Sequence, residues 1–127
     1  MPEQHLFEYA VIRLVPRVER EEFLNAGIVL YCRDRQFLRA KFAIDEPKIR
    51  SLCKKIEIEE LKEHLDAIER ICEGKSGSGP IGRLDMASRF RWLTAKRSTI
   101  VQTSQVHPGF CTDPATMLDH LFEQLVT

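Results

Sequence analysis

Two stretches of this 127-residue chain concentrate side chains that could do chemistry. The first is "YAVIRLVPRVEREEFLNAGIVLYC", residues 9–32. Arg13 interrupts an alternating run that puts Tyr9, Val11 and Val15 on its own face and Ala10, Ile12 and Leu14 on the other. Glu22 and Asn25 follow at a spacing that shares one face of a short helix. A half-buried guanidinium calls for a carboxylate, and an Arg13–Glu22 pair would clamp the strand connection to the sheet by bidentate, charge-assisted bonds. The alternative use of Arg13, Glu22 and Asn25, with Arg17 beside them, is an anion or substrate pocket with the arginines as electrophilic anchors. One carboxylate without a second acid or a placed histidine is a thin basis for acid–base catalysis.

The second stretch is "RFRWLTAKRSTIVQTSQVHPG", residues 89–109. Arg89, Arg91 and Trp92 interleave cations with an aromatic ring, which suits a docking face for a protein or, less well, a single-stranded nucleic acid. Phe90 and Leu93 belong to the core of that helix, and Arg89 can pair with Asp85 one turn earlier. Arg97, Ser98, Gln102 and His107 come next. Arg97 and Ser98 with nearby backbone could hold a phosphate or oxyanion. The simpler expectation is that this Ser/Thr/Gln run hydrogen-bonds neighbouring strands and loops, with His107-Pro108-Gly109 as a turn. Ser98 or Ser104 with His107 lacks a GxSxG setting and an acid to orient the imidazole, so no catalytic residue is assigned.

The elements that must position these groups are legible from periodicity. Residues 7–16 and 27–32 read as strands, the second apolar on both faces and therefore central. Residues 20–25 read as a short helix closed by Gly27. "QFLRAKFAI", residues 36–44, alternates, so 27–44 forms a hairpin with one solvated face. Asp45-Glu46-Pro47 starts helices. In residues 57–74, Ile58, Leu61, Leu65, Ile68 and Cys72 make an apolar stripe that ends at Gly74. A flexible Gly/Ser loop spans 74–82, without the spacing of a phosphate-binding loop. A helix over 84–95, a strand over 98–103, a loop to Pro114 and a helix over 116–126 complete the chain. The fold class is α+β: one domain over residues 1–127, with an antiparallel sheet of about four strands and helices mainly on one face.

Composition narrows the classes of function. Lys plus Arg and Asp plus Glu both number 19, so no global field draws in DNA or an acidic membrane. Charge is polarised locally: seven acids face two bases over 57–73, and five bases face one acid over 83–97. No signal peptide and no membrane span is read in the sequence. The four cysteines, Cys32, Cys53, Cys72 and Cys111, are scattered, away from the histidines, so neither a metal nor a disulfide framework is expected. The expectation is a cytoplasmic protein with reduced thiols and no cofactor.

Together, strand residue Arg13, Pro16, Glu22, Asn25-Ala26-Gly27, Arg89-Phe90 and Arg97-Ser98-Thr99 resemble the bacterial domain of unknown function 3037 family over nearly the whole chain. The resemblance implies a fold and no activity. Family members are often found beside a kinase-like protein resembling the HipA toxins, which implies an accessory or antitoxin-like partner. The leading expectation is a non-enzymatic binding module, partnering a HipA-like kinase, with Arg89, Arg91 and Trp92 or a sheet edge as the docking face. The alternative is an anionic-ligand-binding protein or enzyme in which Arg13, Glu22, Asn25, Arg97, Ser98, Gln102 and His107 meet in one cleft. Nucleic-acid binding by the basic aromatic helix ranks third, and a homodimer through the hairpin edge is compatible with the pattern.

Overall fold

A computed structural model of the chain describes residues 3–16, 20, 22–74, 79–97 and 99–126. Its centre is β1 (His5–Leu14), which pairs antiparallel with β2 (Leu24–Cys32), and β3 (Phe37–Phe42) extends the sheet beyond β2. On the other side of β1 two shorter strands share its length. Strand β4 (Val101–Thr103) lies opposite Ile12–Leu14, and β5 (His107–Cys111) lies opposite His5–Tyr9. The fold is α+β, with a five-stranded antiparallel sheet.

The fifth strand is where the sequence misleads. His107-Pro108-Gly109 is no turn but the start of β5. Proline is tolerated there because β5 is an edge strand whose outer N–H positions have no ladder to serve. Gly109 is required because the Phe7 ring lies over it: a Cβ on Gly109 would sit 2.6 Å from Phe7 Cζ. Breaker residues that mark a turn in one setting here mark an edge strand with a ring packed across it.

The short helix expected over 20–25 is also absent from the described residues. Leu24 and Asn25 already pair with Leu14 and Arg13, so β1 and β2 form a hairpin. Leu14 and Leu24 then share an apolar cluster with Ile49 and Leu61, a gain that an isolated turn of helix cannot match. Ala26 is the extra residue of a bulge, since Ile12 faces Gly27 while Arg13 faces Asn25. Gly27 serves close strand approach rather than a helix end: a Cβ there would lie 2.5 Å from the Lys41 carbonyl oxygen.

Helices α1 (Glu46–Leu52), α2 (Ile58–Glu73), α3 (Gly79–Gly82) and α4 (Met86–Leu93) cover one face of the sheet, and α5 (Pro114–Leu125) covers part of the other. Asp45, with Pro47 behind it, caps α1 by accepting from the Lys48 N–H, as the sequence suggests. On the first face Leu65, Ile71, Phe90 and Leu93 pack on Ala10, Ile12, Val29 and Tyr31. On the second, Leu118, Leu121 and Phe122 pack on Phe7, Val11, Ile28 and Leu30. The outer face of the hairpin is therefore not simply solvated. Lys41 crosses the Phe122 ring and reaches Asp119 at 2.9 Å, tying β3 to α5. Of the expected 74–82 loop, residues 75–78 lie outside the described residues; Gly74 is the left-handed cap of α2, and 79–82 form the turn α3.

Candidate functional site

Arg89 belongs to the scaffold. It is buried, and its Nη1 donates to the carbonyls of Ile71 and Cys72 at 2.8 Å each, while Nε donates to the Leu84 carbonyl at 3.0 Å. The last carbonyls of a helix have no partner within it, and a cation is favoured at that end, so Arg89 closes α2 on both counts. Its placement in a docking face is corrected accordingly. Asp85, the expected partner of Arg89, instead caps α4 by accepting from the Ser88 N–H.

Trp92 and Arg91, on the same helix, are exposed. Beyond the end of α4 the chain doubles back and lays Arg97 over Trp92. The guanidinium carbon lies 4.0 Å from the ring centroid, and Nη2 donates to the Trp92 carbonyl. Both members of this stacked pair line a cleft of about 230 Å³ between α2, α4 and β4. Ile68, Ile71, Leu93 and Val101 give it an apolar lining, and His64 and Thr99 add polar groups. One wall is the outer edge of β4, which among the described residues pairs with β1 alone. An apolar recess with a few polar groups is the usual form of a binding pocket.

The polar run after Arg97 proves to be mainly internal stitching. Thr99 Oγ1 donates to the Val101 carbonyl at 2.6 Å, and Gln102 Nε2 donates to the Thr99 carbonyl at 2.8 Å. Ser104 is buried where β4 gives way to β5; its Oγ accepts from the Val11 N–H at 2.9 Å, supplying an acceptor to the ladder. The same hydroxyl donates to the Gln105 carbonyl, so it is committed to structure. Ser98 lies outside the described residues, as does Arg17.

Arg13 does not pair with Glu22. Glu22 is held by Arg20 at 2.6 Å, because β2 begins too early to leave the helix that would have turned it toward β1. Arg13 instead stacks on Phe23, with its guanidinium carbon 4.3 Å from the ring centroid. It stands in register between Asn25 on β2 and Gln102 on β4, so three of the candidate residues form a row across the sheet. His107 sits four β1 positions away, opposite Tyr9, with the two rings 5.4 Å apart. The candidates therefore divide. Arg97 and Gln102 line the cleft with Trp92, Gln102 also stands in the row with Arg13 and Asn25, and His107 stands apart. The expected convergence on one cleft does not occur.

A family profile described as "Protein of unknown function (DUF3037)" matches residues 9–126. The chain belongs to the DUF3037 family. The matched span takes in both the cleft and the Arg13 row of this DUF3037 protein. No curated protein and no solved structure matches the chain. Among the described residues of the DUF3037 fold, no group of three or more His, Cys, Asp or Glu could hold a metal ion, and no helix is long and apolar enough to cross a membrane.

Three members of these sites, Phe23, His64 and Ile68, are not legible in the sequence as such. The helical spacing of residues 20–25 hides the placement of the Phe23 ring over Arg13. Ile68 belongs to the apolar stripe of α2 and His64 stands out by no spacing; their place with Trp92 in the cleft depends on the α2–α4 packing, which no local pattern encodes.

Proposed function

We propose that this DUF3037 protein is a non-enzymatic, cytoplasmic binding module whose docking face is the Trp92–Arg97 cleft. The observation that carries the reading is the stacked Trp92–Arg97 pair in the lining of an apolar recess. Tryptophan and arginine are the residue types that most often dominate interface energetics, and they do so beside pockets that exclude water. Stacking holds both side chains in place beforehand, which lowers the entropy lost when a partner arrives. The edge of β4 beside the cleft offers a second mode of contact, since an extended segment can pair with an unoccupied strand edge.

The family resemblance points to a HipA-like kinase as the partner, with this chain in an accessory, antitoxin-like role. Arg91 beside Trp92 extends the docking face; Arg89 is not part of it. The test is co-purification of the tagged chain with the HipA-like kinase from the same genome. Stoichiometric capture by wild type, with loss in Trp92→Ala and retention in Lys41→Ala on the far edge, supports the reading. Equal capture by all three, or by none, refutes it.

A further inference from the structure

We infer that Arg13 is a binding site for the carboxylate of a ligand. Residues directly opposed in a sheet project to the same face, so Asn25, Arg13 and Gln102 form a polar row across β2, β1 and β4. Each flanking amide NH2 already makes one hydrogen bond: Asn25 Nδ2 donates to the Leu125 carbonyl at 3.0 Å, and Gln102 Nε2 to the Thr99 carbonyl at 2.8 Å. Arg13 remains as the cation of the row. Its Nε is enclosed and, among the described residues, hydrogen-bonds no group, and Phe23 covers the flat of the guanidinium at 4.3 Å.

Folded proteins ordinarily supply a half-buried cation with a counter-charge. Among the described residues no carboxylate pairs with Arg13, and the nearby acid Glu22 is engaged by Arg20. A guanidinium with its flat covered offers its edge, where the two terminal nitrogens match the two oxygens of a planar carboxylate. Phe23 also limits rotation of the group, so less freedom is lost when that pair forms. The carboxylate can come from a small organic acid or from an Asp or Glu side chain of a polypeptide.

The test follows the Arg13 side-chain N–H resonances of the full chain as sodium acetate is added, against sodium chloride at the same ionic strength. A parallel arm uses the peptide acetyl-Gly-Glu-Gly-amide. Saturable shifts with acetate assign a small acid, and saturable shifts with the peptide alone assign a polypeptide side chain; either supports the site. Arg13→Lys keeps the charge but loses the fork, and should weaken the apparent affinity by about tenfold or more. Lys62→Ala, which removes an exposed cation of α2 remote from the row, should leave it unchanged. If the lysine variant does not fold, the wild-type titrations decide alone. Non-saturating shifts that match chloride in both arms, or undiminished affinity in folded Arg13→Lys, would overturn the carboxylate site.

Discussion

Gly74 and Arg89 occupy adjoining space at the end of α2: a Cβ on Gly74 would lie 2.7 Å from Arg89 Nη1. Gly74 also has a φ of 68°, in the left-handed region. Gly74→Ala should therefore cost about 1–2 kcal/mol from the backbone alone, and more because Arg89 must yield. Arg89→Met, which leaves the carbonyls of Ile71, Cys72 and Leu84 without their donor, should cost about 3 kcal/mol. Urea unfolding of both variants measures these losses. If Arg89 were a docking residue instead, Arg89→Met would lose partner binding while keeping wild-type stability.

Phe7 and Gly109 make a cross-strand pair in which the ring fills the space of the missing side chain. Gly109→Ala should destabilise by roughly 1–3 kcal/mol, as overpacking does. Because the cost arises from Phe7, part of it should vanish in the background of Phe7→Leu. A double-mutant cycle reads that coupling directly, and simple additivity would contradict the contact.

Ser104→Ala should cost about 1–3 kcal/mol, since the Val11 N–H would lose its acceptor beneath the sheet edge. Hydrogen exchange at Val11 is the specific check. It should accelerate in the variant well beyond exchange at Val29, which pairs with Ala10.

Burial pushes the Cys72 thiol up from 9.0 to about 12, outweighing the nearby positive charge of Arg89. A folded pKa above the unfolded one means that the folded chain holds its proton longer. The stability this contributes is whole below about pH 9 and is lost as the pH climbs toward about 12. At neutral pH Cys72 should react with thiol reagents only when the core opens, whereas half-buried Cys53 should react first. Labelling resolved by mass spectrometry gives the order, and early modification of Cys72 would contradict the packing of α2.

The sequence makes visible what rests on local period or capping. The Ile58-Leu61-Leu65-Cys72 stripe gives α2, Asp45 with Pro47 gives the start of α1, and the apolar run 27–32 gives β2, an interior strand between β1 and β3. It conceals what depends on a distant neighbour. His107-Pro108-Gly109 has turn chemistry until Phe7 lies across Gly109. Residues 20–25 have helical spacing until Leu24 finds Leu14. The sites divide in the same way. Trp92 and Arg97 stand out by residue type, but their stacking depends on the chain doubling back after α4. Arg89 has the composition of a surface residue, and only the end of α2 explains why it is buried.

Trp92 is the chain's single tryptophan, so it reports on the proposed docking face without interference from the rest of the fold. The decisive measurement is fluorine NMR of the chain labelled with fluorotryptophan, titrated with the unlabelled HipA-like kinase. Docking at the cleft should replace the free resonance by a shifted one that saturates at one equivalent and is insensitive to solvent isotope. A resonance left at its free position and solvent sensitivity, while the two proteins demonstrably form a complex, would contradict the cleft as the binding face.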